Sequence, residues 1–409
     1  MQEKTNDFQS IKIAGGAYPE SAYIHIPFCV QKCLYCDFIS FTKNNEKIEQ
    51  YIECVKKEIE LTRLELNKPL NGHFLTKSNP EKLQTIYFGG GTPSVLPPAA
   101  IEQFLIALTQ HFGIEASAEI TIEVNPGTIT DEKLQIYKSI GINRLSVGVQ
   151  SFSDDVLKKA GRIHSAKEAR LAIEMIQNAG FTNINCDLMT GLPGQTLSDA
   201  ENSLYELVKY QIPHISFYAL GIEENTPFYQ IYLKHPDFFP SVEDERKMHH
   251  RLLDILRSEK YKHYEISNCA IQGFESRHNI NYWKAESYFG FGCGAHSYYR
   301  SERRGNTSDL DKYIMFLSDE HAKLSSVQQI EEKINLKEAK KEFILLGLRI
   351  LDGISEAEYR IRFQSDMQND FGPVLNKLKS EGYLDMQDNK YCIARDKLDY
   401  ANHVFREFV

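Results

Sequence analysis

Long apolar runs are missing from this chain. No uncharged stretch approaches the roughly 20 residues that a membrane-spanning helix needs, so contact with a bilayer is expected to be peripheral at most. An excess of positive charge is missing too. The formal net charge is −9 and the pI about 5.9, which argues against a general nucleic-acid surface. The opening residues, MQEKTNDFQS, have no apolar core and no basic start, so no secretory signal is expected. Low-complexity tracts and long-period repeats are absent. What remains is the composition of an ordinary globular protein, 42% hydrophobic and 25% charged. Its 409 residues leave room for two or three domains. Tryptophan occurs once, as Trp283. The eight cysteines are unevenly placed, which suits a reducing cytoplasm better than a disulfide framework.

Three of those cysteines, Cys29, Cys33 and Cys36, fall together in the run YIHIPFCVQKCLYC. Three thiolates on one short loop can hold three irons of a cubane cluster and leave the fourth open to a small molecule. The competing reading is a zinc knuckle with His25 as fourth ligand. Zinc motifs usually pair two cysteine arms at a distance, and no second arm is present.

Strand and helix patterns alternate through the first two-thirds of the chain. Strands are expected over residues 23–27, 84–88, 119–125, 144–149, 183–189 and 214–220. Between them, Ile48, Ile52, Val55 and Ile59 recur at helical spacing, and a second helix over 166–179 stops at Gly180. Six βα units with right-handed crossovers predict an α/β fold, an incomplete (β/α)6 barrel. An open doubly wound sheet is the alternative. Along the strands, polar residues share one face (Glu123, Ser146, Asn185, Asp187) and aliphatic residues the other. A lumen built for a polar ligand follows. Beyond residue 220 come a helix over 243–258, a strand-like run over 263–268 and a loop-rich stretch over 277–299. The chain then turns helical from Leu336, and residues 371–393 read as helix, strand, turn and strand, a winged-helix-like pattern. The expected divisions are 15–250 for the barrel, 251–335 for a connecting region and 336–409 for the C-terminal region.

In barrels of this kind the chemistry sits at the C-terminal ends of the strands. The cysteine loop follows the first strand and the run Gly89-Gly90-Gly91-Thr92-Pro93 the second. Glycines there let backbone groups approach a charged ligand closely. Glu123, Gln150 and Asp187 fall at or near the ends of the next three strands. Glu123 would accept hydrogen bonds from sugar hydroxyls or pair with a basic neighbour such as Arg162.

The segments YIHIPFC, GGGTPS, IEVNPG, LSVGVQS, GRIHS, DLMTGLPGQT and RHNINYW occur in that order. Together they resemble the radical S-adenosylmethionine (SAM) proteins. Among these they are similar to the oxygen-independent coproporphyrinogen III dehydrogenases and the related HemW-type heme chaperones, over nearly the whole chain. The resemblance implies a 4Fe-4S cluster on Cys29, Cys33 and Cys36. SAM would bind its open iron and be cleaved by one electron to methionine and a 5′-deoxyadenosyl radical. It implies Tyr23 and Tyr35 against SAM, Gly90, Gly91 and Thr92 at its methionine end, and Glu123 at its ribose. Gln150, Arg162 and Asp187 match positions that hold a second SAM in the dehydrogenases.

Two features favour the chaperone branch. The dehydrogenases usually carry a fourth cysteine two residues after the third, where this chain has Phe38, and they carry a longer N-terminal segment. The HNxxYW motif, here His278, Asn279, Tyr282 and Trp283, is typical of the chaperones. The implied function is to bind heme and pass it to acceptor proteins, membrane-bound respiratory enzymes among them. SAM-cleaving potential would remain, without coproporphyrinogen dehydrogenase activity. His278 is the candidate heme ligand, against the alternative of a loop histidine bonded within the protein. Cys269 and Cys293 are thiolate alternatives; Cys54, Cys186 and Cys392 read as small buried hydrophobes. The dehydrogenase reading, and a radical SAM enzyme with another substrate, stay open at this point.

Overall fold

The computed structural model describes residues 18–68 and 82–409. The expectation about a secretory signal falls on residues outside these. Six strands run parallel in chain order: β1 (Ser21–Ile26), β2 (Leu83–Gly90), β3 (Ile114–Val124), β4 (Arg144–Gln150), β5 (Asn183–Thr190) and β6 (His214–Ala219). Helices α1 (Asn45–Leu66), α2 (Pro98–His111), α3 (Asp131–Ser139), α4 (Asp154–Lys159), α5 (Ala166–Asn178) and α6 (Leu197–Lys209) fill the crossovers. A doubly wound sheet would reverse its strand order midway; this one does not, so the barrel reading holds. The barrel is incomplete because β1 and β6 do not pair with each other. Strand β9 (Phe289–Phe291) lies parallel on β1, and the hairpin β7 (Lys262–Glu265) and β8 (Asn268–Ala270) continues antiparallel from β6.

Side-chain alternation explains the layering. Ile24, Ile26, Ile122, Val124, Leu145, Val147, Ile184, Leu188 and Phe217 point outward and are buried under the helices. Each such burial is worth about 1.5–3 kcal/mol. The opposite faces line the lumen with Tyr23, His25, Thr85, Tyr87, Glu119, Glu123, Arg144, Ser146, Asn185, Asp187 and His214. Helix α5 starts at a capping box between Ser165 and Glu168 and stops before Gly180, whose φ is +80°.

The stretch over 277–299 is more ordered than its sequence suggests. It contains α9 (Arg277–Trp283), β9 and a strand His296–Tyr299 that joins a small antiparallel sheet with Glu302–Asn306 and Gln328–Lys333. The run over 263–268 is likewise two strands, β7 and β8, rather than one. Helices α7 (Pro227–Lys234) and α8 (Val242–Ser258) precede it, and α10 (Leu310–Leu317) follows.

The C-terminal region has its own core. Helices α11 (Leu336–Gly347), α12 (Glu356–Phe363), α13 (Met367–Ser380) and α14 (Ala401–Arg406) bury Phe343, Tyr359, Phe363, Leu375 and Leu378 against a three-stranded sheet of Ile354–Ser355, Leu384–Gln387 and Lys390–Ile393. No helix among the described residues is long and apolar enough to cross a membrane.

Candidate functional site

The cysteine loop leaves the top of β1 and is closed by backbone. Phe28–Cys29 pairs in parallel with Phe41–Thr42, and Phe41 and Lys43 donate N–H to Pro27 and Cys29 carbonyls at 2.7 and 2.9 Å. The loop is also tied to its surroundings. Leu34 N–H donates to Ala160 O at 3.3 Å, and Leu34 O accepts from Phe228 N–H at 3.1 Å. Cys29 is buried; Cys33 and Cys36 are partly exposed. Burial pushes the thiols of Cys29 and Cys36 above the ordinary range.

A ring of hydrogen bonds links the cysteines to the neighbouring strand ends. Thr92 Oγ1 donates to Cys29 Sγ at 3.5 Å and accepts from Asn125 Nδ2 at 2.9 Å. Asn125 Oδ1 accepts from Arg162 Nη2 at 2.9 Å, and Arg162 Nη1 reaches Cys33 Sγ at 3.4 Å and Tyr35 Oη at 3.5 Å. A second contact from Nη2 to Gly148 O, 2.6 Å, pins the guanidinium. Asn125 was missed as a site residue; its place on the luminal face two residues after Glu123 was the available signal.

The glycine turn is required sterically. At Gly90, φ is +113° and a Cβ would sit 2.5 Å from the His25 ring. At Gly91 a Cβ would meet Phe28 O at 2.8 Å and Cys29 Sγ at 3.0 Å. Backbone therefore passes directly under the cysteine loop, with the Gly91 and Thr92 N–H groups donated to Ile26 O and Phe28 O at 2.9 and 2.8 Å.

Below the rim, Glu123 is held on both oxygens. Tyr87 Oη donates to Oε1 at 2.8 Å and Gly90 N–H to Oε2 at 3.1 Å. Burial outweighs these donors and pushes its carboxyl up to about 7. Arg162 is not its partner, contrary to expectation, because the guanidinium is committed to Asn125, Gly148, Cys33 and Tyr35. Asp187 accepts from Asn185 Nδ2 at 2.7 Å, and burial raises it as well. Gln150, at φ +67°, faces Tyr218, whose hydroxyl donates at 3.5 Å. The structure thus brings Cys29, Cys33, Cys36, Tyr23, Tyr35, Gly90, Gly91, Thr92, Glu123, Gln150, Arg162 and Asp187 to the rim and upper lumen.

The zinc reading fails on donors. His25 Nε2 lies 2.8 Å from Ile39 O and Nδ1 3.0 Å from Tyr23 Oη, so neither ring nitrogen is spare. Among the described residues no three His, Cys, Asp or Glu side chains converge as one ion demands. Cubane thiolates bind separate irons and stand further apart. The donor set, the close backbone approach at the glycines and the anchored loop fit a cluster with a bound amino acid.

His278 lies elsewhere. It belongs to α9, which plugs the N-terminal end of the barrel. Its side chain is 1% exposed, with Nδ1 2.8 Å from Thr85 Oγ1 and Nε2 3.0 Å from Tyr282 Oη. Burial, with Arg144 nearby, lowers its pKa to about 3. A heme ligand needs a free nitrogen lone pair, so His278 is withdrawn from that role. Cys269 and Cys293 are also fully buried.

Comparison with known proteins identifies the family and the fold. The Radical SAM superfamily matches residues 23–207 and the HemN C-terminal domain residues 334–395. The chain is 32% identical to the heme chaperone HemW of Lactococcus lactis, covering 96% of this chain and 97% of that one. To HemW of Bacillus subtilis it is 33% identical, over 95% and 99%. The structure of HemN from Escherichia coli, a coproporphyrinogen III oxidase and radical SAM enzyme, superposes with a TM-score of 0.80 over 97% of this chain and 92% of that one. Identity is 20%, so the likeness concerns the fold. The chain belongs to the HemW family of heme chaperones within the radical SAM superfamily.

Proposed function

We propose that this protein carries heme for delivery to acceptor proteins, with a 4Fe-4S cluster and SAM at the barrel rim and the heme at the opposite end. Cys29, Cys33 and Cys36 would hold the cluster. Gly90, Gly91 and Thr92 would receive the amino-acid end of SAM, Glu123 its ribose, and Tyr23 and Tyr35 its flanks. When bound, these groups supply one-electron reductive chemistry. The chain's own residues anchor the cysteine loop and place Arg162 beside Cys33. Whether Gln150 and Asp187 take a second SAM rests on the resemblance; Arg162 is already committed to protein partners.

A cavity at the base carries the heme half of this reading. It measures about 600 Å³, within the range of cofactor pockets. Its walls come from α9 and the C-terminal core, with Ile280, Trp283, Phe343, Ile350 and Ile354 giving apolar surface. Lys284 and Lys390 are among its lining residues and have no ion-pair partner among the described residues; they suit the two propionates. Asn183 Oδ1 and Trp283 Nε1 are buried there without hydrogen-bond partners, which favours a ligand with polar atoms. The lining holds no histidine or cysteine. Heme would be held by apolar contact and charge pairing, a hold that permits release.

Heme titration followed at the Soret band tests this. Saturable one-to-one binding, weakened at least tenfold by Trp283→Ala combined with Lys390→Glu, is expected. Saturable binding that ignores both changes would move the site. No saturable binding would sink the heme-carrying role, and coproporphyrinogen turnover would be assayed next.

A further inference from the structure

The HNxxYW motif has a structural task that connects the two ends of the barrel. Helix α9 is bolted to the base. Glu119 accepts the N–H groups of Arg277 and His278 at 3.2 and 3.0 Å, and Asn281 Nδ2 donates to Ser21 and Thr85. From this anchor the His278 ring stacks on Tyr87, with centroids 5.2 Å apart and planes 26° apart. Tyr87 in turn stacks on Tyr23, at 6.2 Å and 26°. Three rings therefore run in a row, with Tyr23 and Tyr87 side by side as register partners on β1 and β2 and His278 against the far face of Tyr87. The middle ring, Tyr87, donates to Glu123, and Tyr23 beside it touches His25, which lies against Gly90.

We propose that His278 is a positioning residue for the SAM site: it seats Tyr87, whose hydroxyl orients the Glu123 carboxylate. The proposal rests on the reading that SAM lies against Glu123. Nothing on β2 itself would hold Tyr87 from above. Gly89, two residues on and on the same face, has no side chain, and a Cβ there would lie 2.9 Å from both Tyr23 and Tyr87 and 3.2 Å from Glu123. Tyr87 is thus kept in place from one face, by His278, and from the other, by Tyr23. The His278 ring is itself fixed at both nitrogens, so the row has little freedom. A plug that merely filled space would need neither the stack nor the polar ends.

SAM affinity is the readout, measured by equilibrium binding to anaerobically cluster-loaded protein. Iron content and melting temperature are recorded alongside. Tyr87→Phe keeps the ring and removes one hydrogen bond to a carboxylate, so SAM binding should weaken roughly tenfold or more. Iron content should be unchanged and melting within about 5 °C of wild type. His278→Ala should weaken SAM binding at least as much. His278→Phe, which restores a ring against Tyr87, should fall between it and wild type. SAM affinity within twofold of wild type in either Tyr87→Phe or His278→Ala would overturn the proposal, even if His278→Ala melts earlier. A cluster-loaded wild type that fails to bind SAM would overturn the SAM reading itself and the proposal with it.

Discussion

Replacing Glu58 with glutamine should reshape the pH dependence of folding. Glu58 lies on α1, fully buried. It accepts from Tyr313 Oη at 2.6 Å, Asn306 Nδ2 at 2.6 Å and Gly292 N–H at 2.8 Å. No cation pairs with it among the described residues. This network braces the rim: the Tyr51 hydroxyl bridges Cys293 N–H and the carbonyl of His25, one residue before β1 ends. Burial outweighs the three donors and lifts Glu58 from 4.5 to about 7. Below pH 4.5 both folded and unfolded chains hold the proton, and the contribution to stability is full. As pH climbs from 4.5 to about 7 only the unfolded chain releases it, so stability is lost, by about 3 kcal/mol in all. Glutamine resembles the protonated acid and does not titrate. The variant should therefore gain about 3 kcal/mol relative to wild type between pH 4.5 and pH 8. With a urea m-value of about 3 kcal/mol/M that is roughly a 1 M shift in the difference of midpoints. Urea unfolding of the cluster-free chains at pH 5, 6, 7 and 8 measures it, and other titrating groups cancel in the difference. A pH-independent difference would refute the dominance of burial. A shift of opposite sign would show that the three donors win.

Other consequences are open to measurement. Asn125→Ala cuts the link between Thr92 and Arg162, so a chelator should strip iron from the loaded protein several-fold faster than from wild type. SAM affinity should strengthen as pH rises through about 7, where Glu123 ionises, and Glu123→Gln should flatten that profile in the same binding assay. Trp283 and His278 share α9, so heme and SAM should alter each other's affinity by one common factor, as linkage requires; titrating each in the presence and absence of the other checks the equality.

The barrel was readable because its strands alternate cleanly. Ser146, Asn185 and Asp187 against Val147, Ile184 and Leu188 gave both the strands and the polar lumen. Residues 277–299 were not, because β9 has three residues and its neighbours are glycines at positive φ, Gly292 and Gly294. Composition of that kind reads as loop until distant partners are known. The cysteine loop and glycine turn announced themselves by spacing. The ring through Asn125 and Arg162 did not, since it joins positions 37 residues apart through side chains alone. His278 misled for a similar reason. Its sequence neighbours gave no sign that Thr85 and Tyr282 would occupy both nitrogens. The basal cavity was invisible for a plainer cause: its walls come from α9, strand starts and α11, brought together only by the packing of the C-terminal core.

The central claim is that heme and cluster occupy opposite ends of one barrel. Pulsed electron paramagnetic resonance on protein loaded with both would measure the separation directly. Strand β2 is 8 residues long, and at about 3.3 Å per residue the rim and base are roughly 25 Å apart. A heme-to-cluster distance of about 25 Å or more is the predicted result. A distance below about 15 Å would put the heme in the lumen beside the cluster and contradict the account.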